Sequence, residues 1–160
     1  FMDVCKNYKM ITFEGGFVSR KDGYSFGKHM ISRRYSFSEY LTKTQKSAVS
    51  FNTPAVQQCH GWKLGEFLAL GKAIISTKLS RSLPYPLIHG EHVHFVDGSF
   101  EEINAALSYI LDNPSYRKKL EHGARNYYLT YLQPTQVIKR ILQFSTKLID
   151  YGNATIEKKE

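Results

Sequence analysis

Two compact runs of strand-forming residues, 48–51 (AVSF) and 73–77 (AIIST), enclose a segment whose apolar residues Trp62, Leu64, Phe67, Leu68 and Leu70 recur at helical spacing. A strand, a helix and a second strand in so short a stretch make the repeating unit of a parallel sheet. Both runs are short and largely apolar, so the sheet is expected to be covered on both faces. Asn52-Thr53-Pro54 ends the first run at a polar rim, and Gly71 is placed to end the helix in a left-handed cap.

The rest of the chain extends this unit. Residues 92–96 (HVHFV) alternate as a third strand and break at Asp97-Gly98. Ser99 is placed to cap an amphipathic helix carrying Ile103, Ala106, Leu107, Ile110 and Leu111, with Glu101 and Glu102 in its first turn. Asn113-Pro114 stops it, and two helices follow over 115–130 and 134–149, then a polar, fraying tail after Gly152. Upstream, 10–13 alternates as a strand that stops at Gly15-Gly16, and 17–32 has no clean period and is expected to be a loop of low order. Ser36 and Glu39 form a capping box ahead of a helix bearing Phe37, Tyr40, Leu41 and Thr44. The order predicts an α/β fold with right-handed crossovers and ligands at the carboxyl ends of the strands. The loop from Asn52 to Gly61 is the place to look.

With 42% hydrophobic and 14% aromatic residues in 160, the chain can close one core but not two. One domain over 1–150 with a polar tail over 151–160 is expected. No apolar run approaches the roughly 20 residues of a membrane-crossing helix, and residues 1–20 lack the basic-then-apolar order of a secretory signal. A chain that starts at Phe1 is expected to be a piece of a longer protein. Cys5 and Cys59 are too few for a disulfide framework or a metal knuckle, which suits a reducing cytoplasm. The net charge of +8 is concentrated in residues 1–50, where nine Lys and Arg face four Asp and Glu. Such an excess suits nucleotide phosphates, nucleic acid or an anionic membrane surface, or is simply a solvated face.

The chemistry-bearing segment is 51–77. Gly61 stands at a helix start, where unpaired amides and the dipole attract phosphate and the backbone can come close. Lys63 adds a point charge, and Glu66, at i, i+3 from it, shares its face. A carboxylate there can accept from two vicinal ribose hydroxyls; alternatively Lys63 and Glu66 form a surface ion pair. His60 can donate to a phosphate, act as an acid, or fill the loop. His89, His92 and His94 with Glu91 invite a metal reading, but no fourth ligand is specified and no metal site is expected. Arg33-Arg34 with Tyr35, Phe37, Lys28 and Arg20 forms a basic, aromatic stretch that either binds nucleic acid or anionic lipid or is a solvated loop.

The run 58–66 (QCHGWKLGE) followed by 69–77 (ALGKAIIST) resembles the nucleotide-sugar signature in the C-terminal domain of GT-B-fold glycosyltransferases, E-G-F-G-x-x-x-x-E before an A-x-G-x-P-(V/I)-(V/I)-(A/S)-(T/S) strand. Residues 90–96 are similar to the family's E-x-G-x-L-V strand, and 100–113 to its next helix. Arg117, Leu120, Ala124 and Arg125 resemble its R-x-x-L-x-x-x-A-R helix. The resemblance covers about residues 48 to 145. It implies a Rossmann-like three-layer domain, the C-terminal half of the fold, with extra C-terminal helices. It also implies a donor site of Gln58, His60, Gly61, Trp62, Lys63 and Glu66, with Glu66 on the ribose and Gly61 and Lys63 at the diphosphate of a UDP- or GDP-sugar. Gln58 stands where the family has its first glutamate and keeps an amide without the charge. No metal and no cofactor besides the donor are implied, with His60 the one residue considered as catalytic. The acceptor site and catalytic base belong to an N-terminal domain that this chain lacks. The family implies a glycan or lipid-linked acceptor in bacterial polysaccharide synthesis, a cytoplasmic setting, peripheral at the inner face of the membrane, and no nucleic acid. The competing expectation is a non-catalytic α/β module that binds nucleic acid or an anionic surface through its basic N-terminal half. Another Rossmann family would carry G-x-G-x-x-G after the first strand, which Glu14-Gly15-Gly16-Phe17 does not supply.

Overall fold

The computed structural model describes residues 1–18 and 26–156. After a short helix α1 (Met2–Lys6), strands β1 (Phe17–Val18) and β2 (Met30–Ile31) pair in parallel as a small separate sheet, with a 3-10 turn over Gly27–His29 before β2. Helix α2 (Phe37–Lys46) leads into β3 (Val49–Asn52), a 3-10 turn Val56–Gln58, α3 (Trp62–Ala69) and β4 (Ala73–Thr77). Strand β5 (His94–Val96), α4 (Phe100–Asp112), α5 (Pro114–Tyr127), a π-helical turn Tyr128–Leu132 and α6 (Pro134–Ile156) complete the order.

The main sheet has the order β3-β4-β5, all parallel, with Ser50 opposite Ile74 and Ile75 opposite His94. Alternation along the central strand divides the core. Ala73 and Ile75 join Val4, Ile103, Leu107, Ile110 and Leu120 on one face. Ile74 joins Leu64, Phe67, Leu68 and Val93 on the other. Ile74 and Ile75 are fully buried, each worth about 1.5–3 kcal/mol relative to exposure. Both faces are therefore covered, as the largely apolar runs predict. α5 bridges the two halves, with Leu120 in one cluster and Ala124 and Tyr127 in the other.

Helix ends follow the sequence signals. The Ser36 hydroxyl accepts the Glu39 amide at 3.2 Å while the Glu39 carboxylate accepts the Ser36 amide at 2.8 Å. Ser99 accepts the Glu102 amide at 3.2 Å, and Pro114 opens α5. Gly71 lies at φ +61°, where a Cβ would crowd Arg125 and the Glu121 carbonyl of α5.

Four expectations are corrected. Residues 10–13 form no strand, because Ile11 and Phe13 pack singly against the core while Met10 is exposed, and among the described residues no strand pairs with them. The expected loop 17–32 holds β1 and β2, while its residues 19–25, including Arg20, lie outside the described residues. The third strand is shorter than 92–96, since His92 and Val93 close a turn in which the Gly90 amide donates to the Val93 carbonyl at 2.8 Å. Finally, α6 runs to Ile156 through Gly152, so 151–156 continue the helix instead of forming a frayed tail; one interior glycine costs only about 1 kcal/mol. Residues 157–160 lie outside the described residues. Among the described residues no helix is long and apolar enough to cross a membrane.

Candidate functional site

Parallel pairing brings the carboxyl ends of β3 and β4 side by side, and polar side chains lock them. Asn52, buried, donates from Nδ2 to Ser76 Oγ at 2.9 Å, and that hydroxyl donates to the Thr77 carbonyl at 2.8 Å. The chain leaving β3 then turns tightly. The Ala55 amide donates to the Cys59 carbonyl at 2.8 Å, and Gln57 and Gln58 take φ of 55° and 61°. Left-handed backbone at two successive non-glycine residues stores strain of order 1–3 kcal/mol each, which the surroundings must hold. Ser80, after β4, supplies part of that hold by donating its hydroxyl to the Gln58 carbonyl at 2.8 Å.

This loop delivers the chain to α3. Gly61 is its N-cap, with ordinary extended backbone (φ −77°) and no side chain to occupy the first-turn amides. The closest atom to a Cβ at Gly61 would be Ala55 Cβ at 3.6 Å, so the glycine answers no strain; it keeps the amides uncovered. Trp62 is 86% exposed and Lys63 is exposed beside it, so one face of the first turn of α3 is open while Leu64 anchors the turn in the core. Among the described residues Lys63 has no ion-pair partner; the alternative of a Lys63–Glu66 pair is not what forms.

Glu66, one turn on, is half-buried, and its Oε2 accepts the Tyr40 hydroxyl of α2 at 2.8 Å. Burial, reinforced by this carboxylate, pushes the Tyr40 hydroxyl up to about 12, so it stays a donor across the working pH range. A carboxylate offers about four lone-pair positions, so Glu66 is oriented by one bond and keeps capacity for others. His60 lies at the edge of the loop with Nε2 shielded from solvent and without a hydrogen-bond partner among the described residues. Gln58, His60, Gly61, Trp62, Lys63 and Glu66 thus fall on one continuous loop-to-helix corner. Sequence reading missed Tyr40, Asn52 and Ser80, which hold that corner from other elements.

The other candidates are already engaged. Arg33 is forked onto Glu39 at 3.1 and 2.6 Å, and Lys28 pairs with Asp3 at 2.6 Å, so part of the basic stretch is neutralised within the chain. The Nδ1 of His89 accepts the Phe95 amide and that of His92 the Ile88 amide, each at 3.0 Å, while His94 Nδ1 meets the Tyr116 hydroxyl at 2.9 Å. Among the described residues no three His, Cys, Asp or Glu gather as a metal site. Cys5 and Cys59 are both free, and burial pushes the Cys5 thiol up to about 11.

No protein-family model matches the chain, and no curated protein is significantly similar to it.

Proposed function

We propose that the chain is the Rossmann-like donor-binding half of a GT-B glycosyltransferase, holding a nucleotide-diphosphate sugar at the β3–α3 corner for transfer to a glycan or lipid-linked acceptor. The observation that carries this reading is Glu66. It is a half-buried carboxylate, oriented by the Tyr40 hydroxyl at 2.8 Å, one turn inside a helix whose first amides are uncapped. A helix N-terminus after a parallel strand favours phosphate through its amides and dipole. Lys63, exposed and without an ion-pair partner among the described residues, adds charge there. An acidic group fixed one turn further along suits two ribose hydroxyls, which donate where phosphate oxygens only accept. His60 Nε2, without a partner among the described residues, is a ready donor or acceptor for the diphosphate or sugar. In this reading a second domain supplies the acceptor site and the catalytic base, and no metal is needed to bind the nucleotide.

Calorimetric titration of the chain with UDP, GDP, ADP and CMP tests the proposal. One nucleotide should bind in preference to the others. Glu66→Ala should weaken it by about 1.5–3 kcal/mol, the worth of hydrogen bonds to a charged group, while Tyr40→Phe, which frees the carboxylate without removing it, should weaken it less. Equal affinity in Glu66→Ala, or binding that tracks salt and ignores the nucleotide offered, would overturn the reading.

A further inference from the structure

The carboxyl edge of the sheet carries a second concavity that the donor corner does not use. It is a cleft of about 590 Å³ between the segment after β4 and the end of β5, within the size range of small-molecule sites, roughly 300–1,000 Å³. Its charged lining is balanced, with Lys78 and Arg81 alongside Asp97 and Glu102. The carboxylates are held in place: Asp97 Oδ1 accepts the Ser99 amide at 2.7 Å, and Glu102 Oε2 accepts the Asp97 amide at 2.6 Å. Each retains acceptor capacity beyond that one bond. Among the described residues Lys78 and Arg81 have no ion-pair partner. His89 also lines the cleft, and because its Nδ1 accepts the Phe95 amide at 3.0 Å, the neutral ring carries its proton on Nε2 as a donor of fixed position. The Phe95 ring lies nearly parallel to it, at 24° and 6.5 Å, beside an apolar floor that includes Leu83 and Leu87.

This lining selects by exclusion. A bare anion meets two fixed carboxylates, a cation meets Lys78 and Arg81, and a purely apolar molecule strips water from all four charges without replacing it. A neutral polyhydroxyl ring satisfies both sets, since each hydroxyl donates to a carboxylate and accepts from a cation, while the C–H face of the ring lies on Phe95 and the leucines. The Ser80–Gln58 hydrogen bond ties this segment directly to the donor loop, so a ligand here sits on the same edge as the donor corner. We propose that the cleft is a pyranose-binding subsite, a site separate from the donor corner and independent of the donor reading above, which leaves the acceptor to a second domain.

The test is two-dimensional amide NMR of the chain titrated with methyl α-glucoside, methyl α-mannoside, N-acetylglucosamine and, as a control, inorganic phosphate. The expected result is saturable shifts at 78–89 and 95–97 with at least one sugar. Asp97→Asn and Arg81→Ala should each weaken that binding about tenfold, the order of one lost charged hydrogen bond, without changing UDP or GDP binding. A cleft silent to every sugar, shifts reproduced by phosphate alone, or full affinity in both variants overturns the subsite, even where nucleotide binding at 58–66 is intact. Sugar binding by a chain that binds no nucleotide overturns the donor reading and upholds the sugar-binding cleft.

Discussion

Gly65 and Gly123 both lie inside helices, yet the same substitution to alanine should move stability in opposite directions. In an exposed helix interior alanine is favoured over glycine by about 0.8–1 kcal/mol. At Gly65 in α3 an added Cβ meets nothing within 4 Å, so Gly65→Ala should gain most of that amount. At Gly123 in α5 the Cβ would stand 2.0 Å from the Glu91 carbonyl oxygen and 2.8 Å from its carbon, whereas carbon and oxygen rest at about 3.3 Å or more. The obstacle is backbone, and it is braced, with the His92 amide donating to the Ile88 carbonyl and the Ile88 amide to His92 Nδ1, both at 3.0 Å. Over 1 Å of separation between α5 and the turn must therefore open. Overpacking of this kind costs about 1–3 kcal/mol, and with a rigid obstacle the upper end applies, so after the helix gain Gly123→Ala should lose about 2 kcal/mol. For a chain of this size that is a fall in Tm of roughly 4–8 °C. Urea unfolding followed by helical circular dichroism is the assay, because Trp62 is 86% exposed and reports core unfolding poorly. Wild-type stability or better in Gly123→Ala would refute the close approach of α5 to the turn at Glu91.

Burial holds the His92 imidazole below its usual value of 6.5, against the opposing pull of Glu91. Its neutral form is the native one, so its contribution is complete above that value and is lost as pH falls below it toward the folded value. Melting temperature should drop over that window and His92→Gln should flatten the drop, an unchanged slope counting against it. Glu39 is held at about 2 by Arg33 first and by the Ser36 amide next, so α2 should keep its helical signal down through pH 4.5 and fray only as pH approaches that low value. Ser36→Ala, which leaves the Glu39 amide without its acceptor, should cost about 1 kcal/mol in the same unfolding assay, and no loss would mean the capping box is not formed in solution.

What could be read in the sequence divides along a physical line. The caps at Ser36 and Ser99, the turn at Gly71 and the helix break at Asn113-Pro114 are decided by residues within a few positions of one another, and each appears where its local chemistry puts it. Residues 10–13 misled because alternation describes a strand's faces but says nothing of a partner, and no strand lies alongside among the described residues. The β3–α3 corner shows the same division. Gly61, Lys63 and Glu66 are legible from helix spacing alone, whereas Tyr40 lies 26 positions from Glu66 and Ser80 lies 22 from Gln58. Tyr40 gave only the weak signal of a hydroxyl on the apolar stripe of α2, where phenylalanine would pack as well.

Those distant contacts decide what the corner can do. An isolated Lys63 and Glu66 at helical spacing would neutralise each other, as surface pairs do, for a few tenths of a kcal/mol. Packing α2 against α3 instead gives Glu66 to Tyr40 and leaves Lys63 without a carboxylate among the described residues. The two charges are thereby separated into an oriented acceptor and a free cation, one turn apart beside uncapped amides. A ligand that presents hydroxyls at one end and negative charge at the other uses both, and a ligand with charge alone uses only half of the corner.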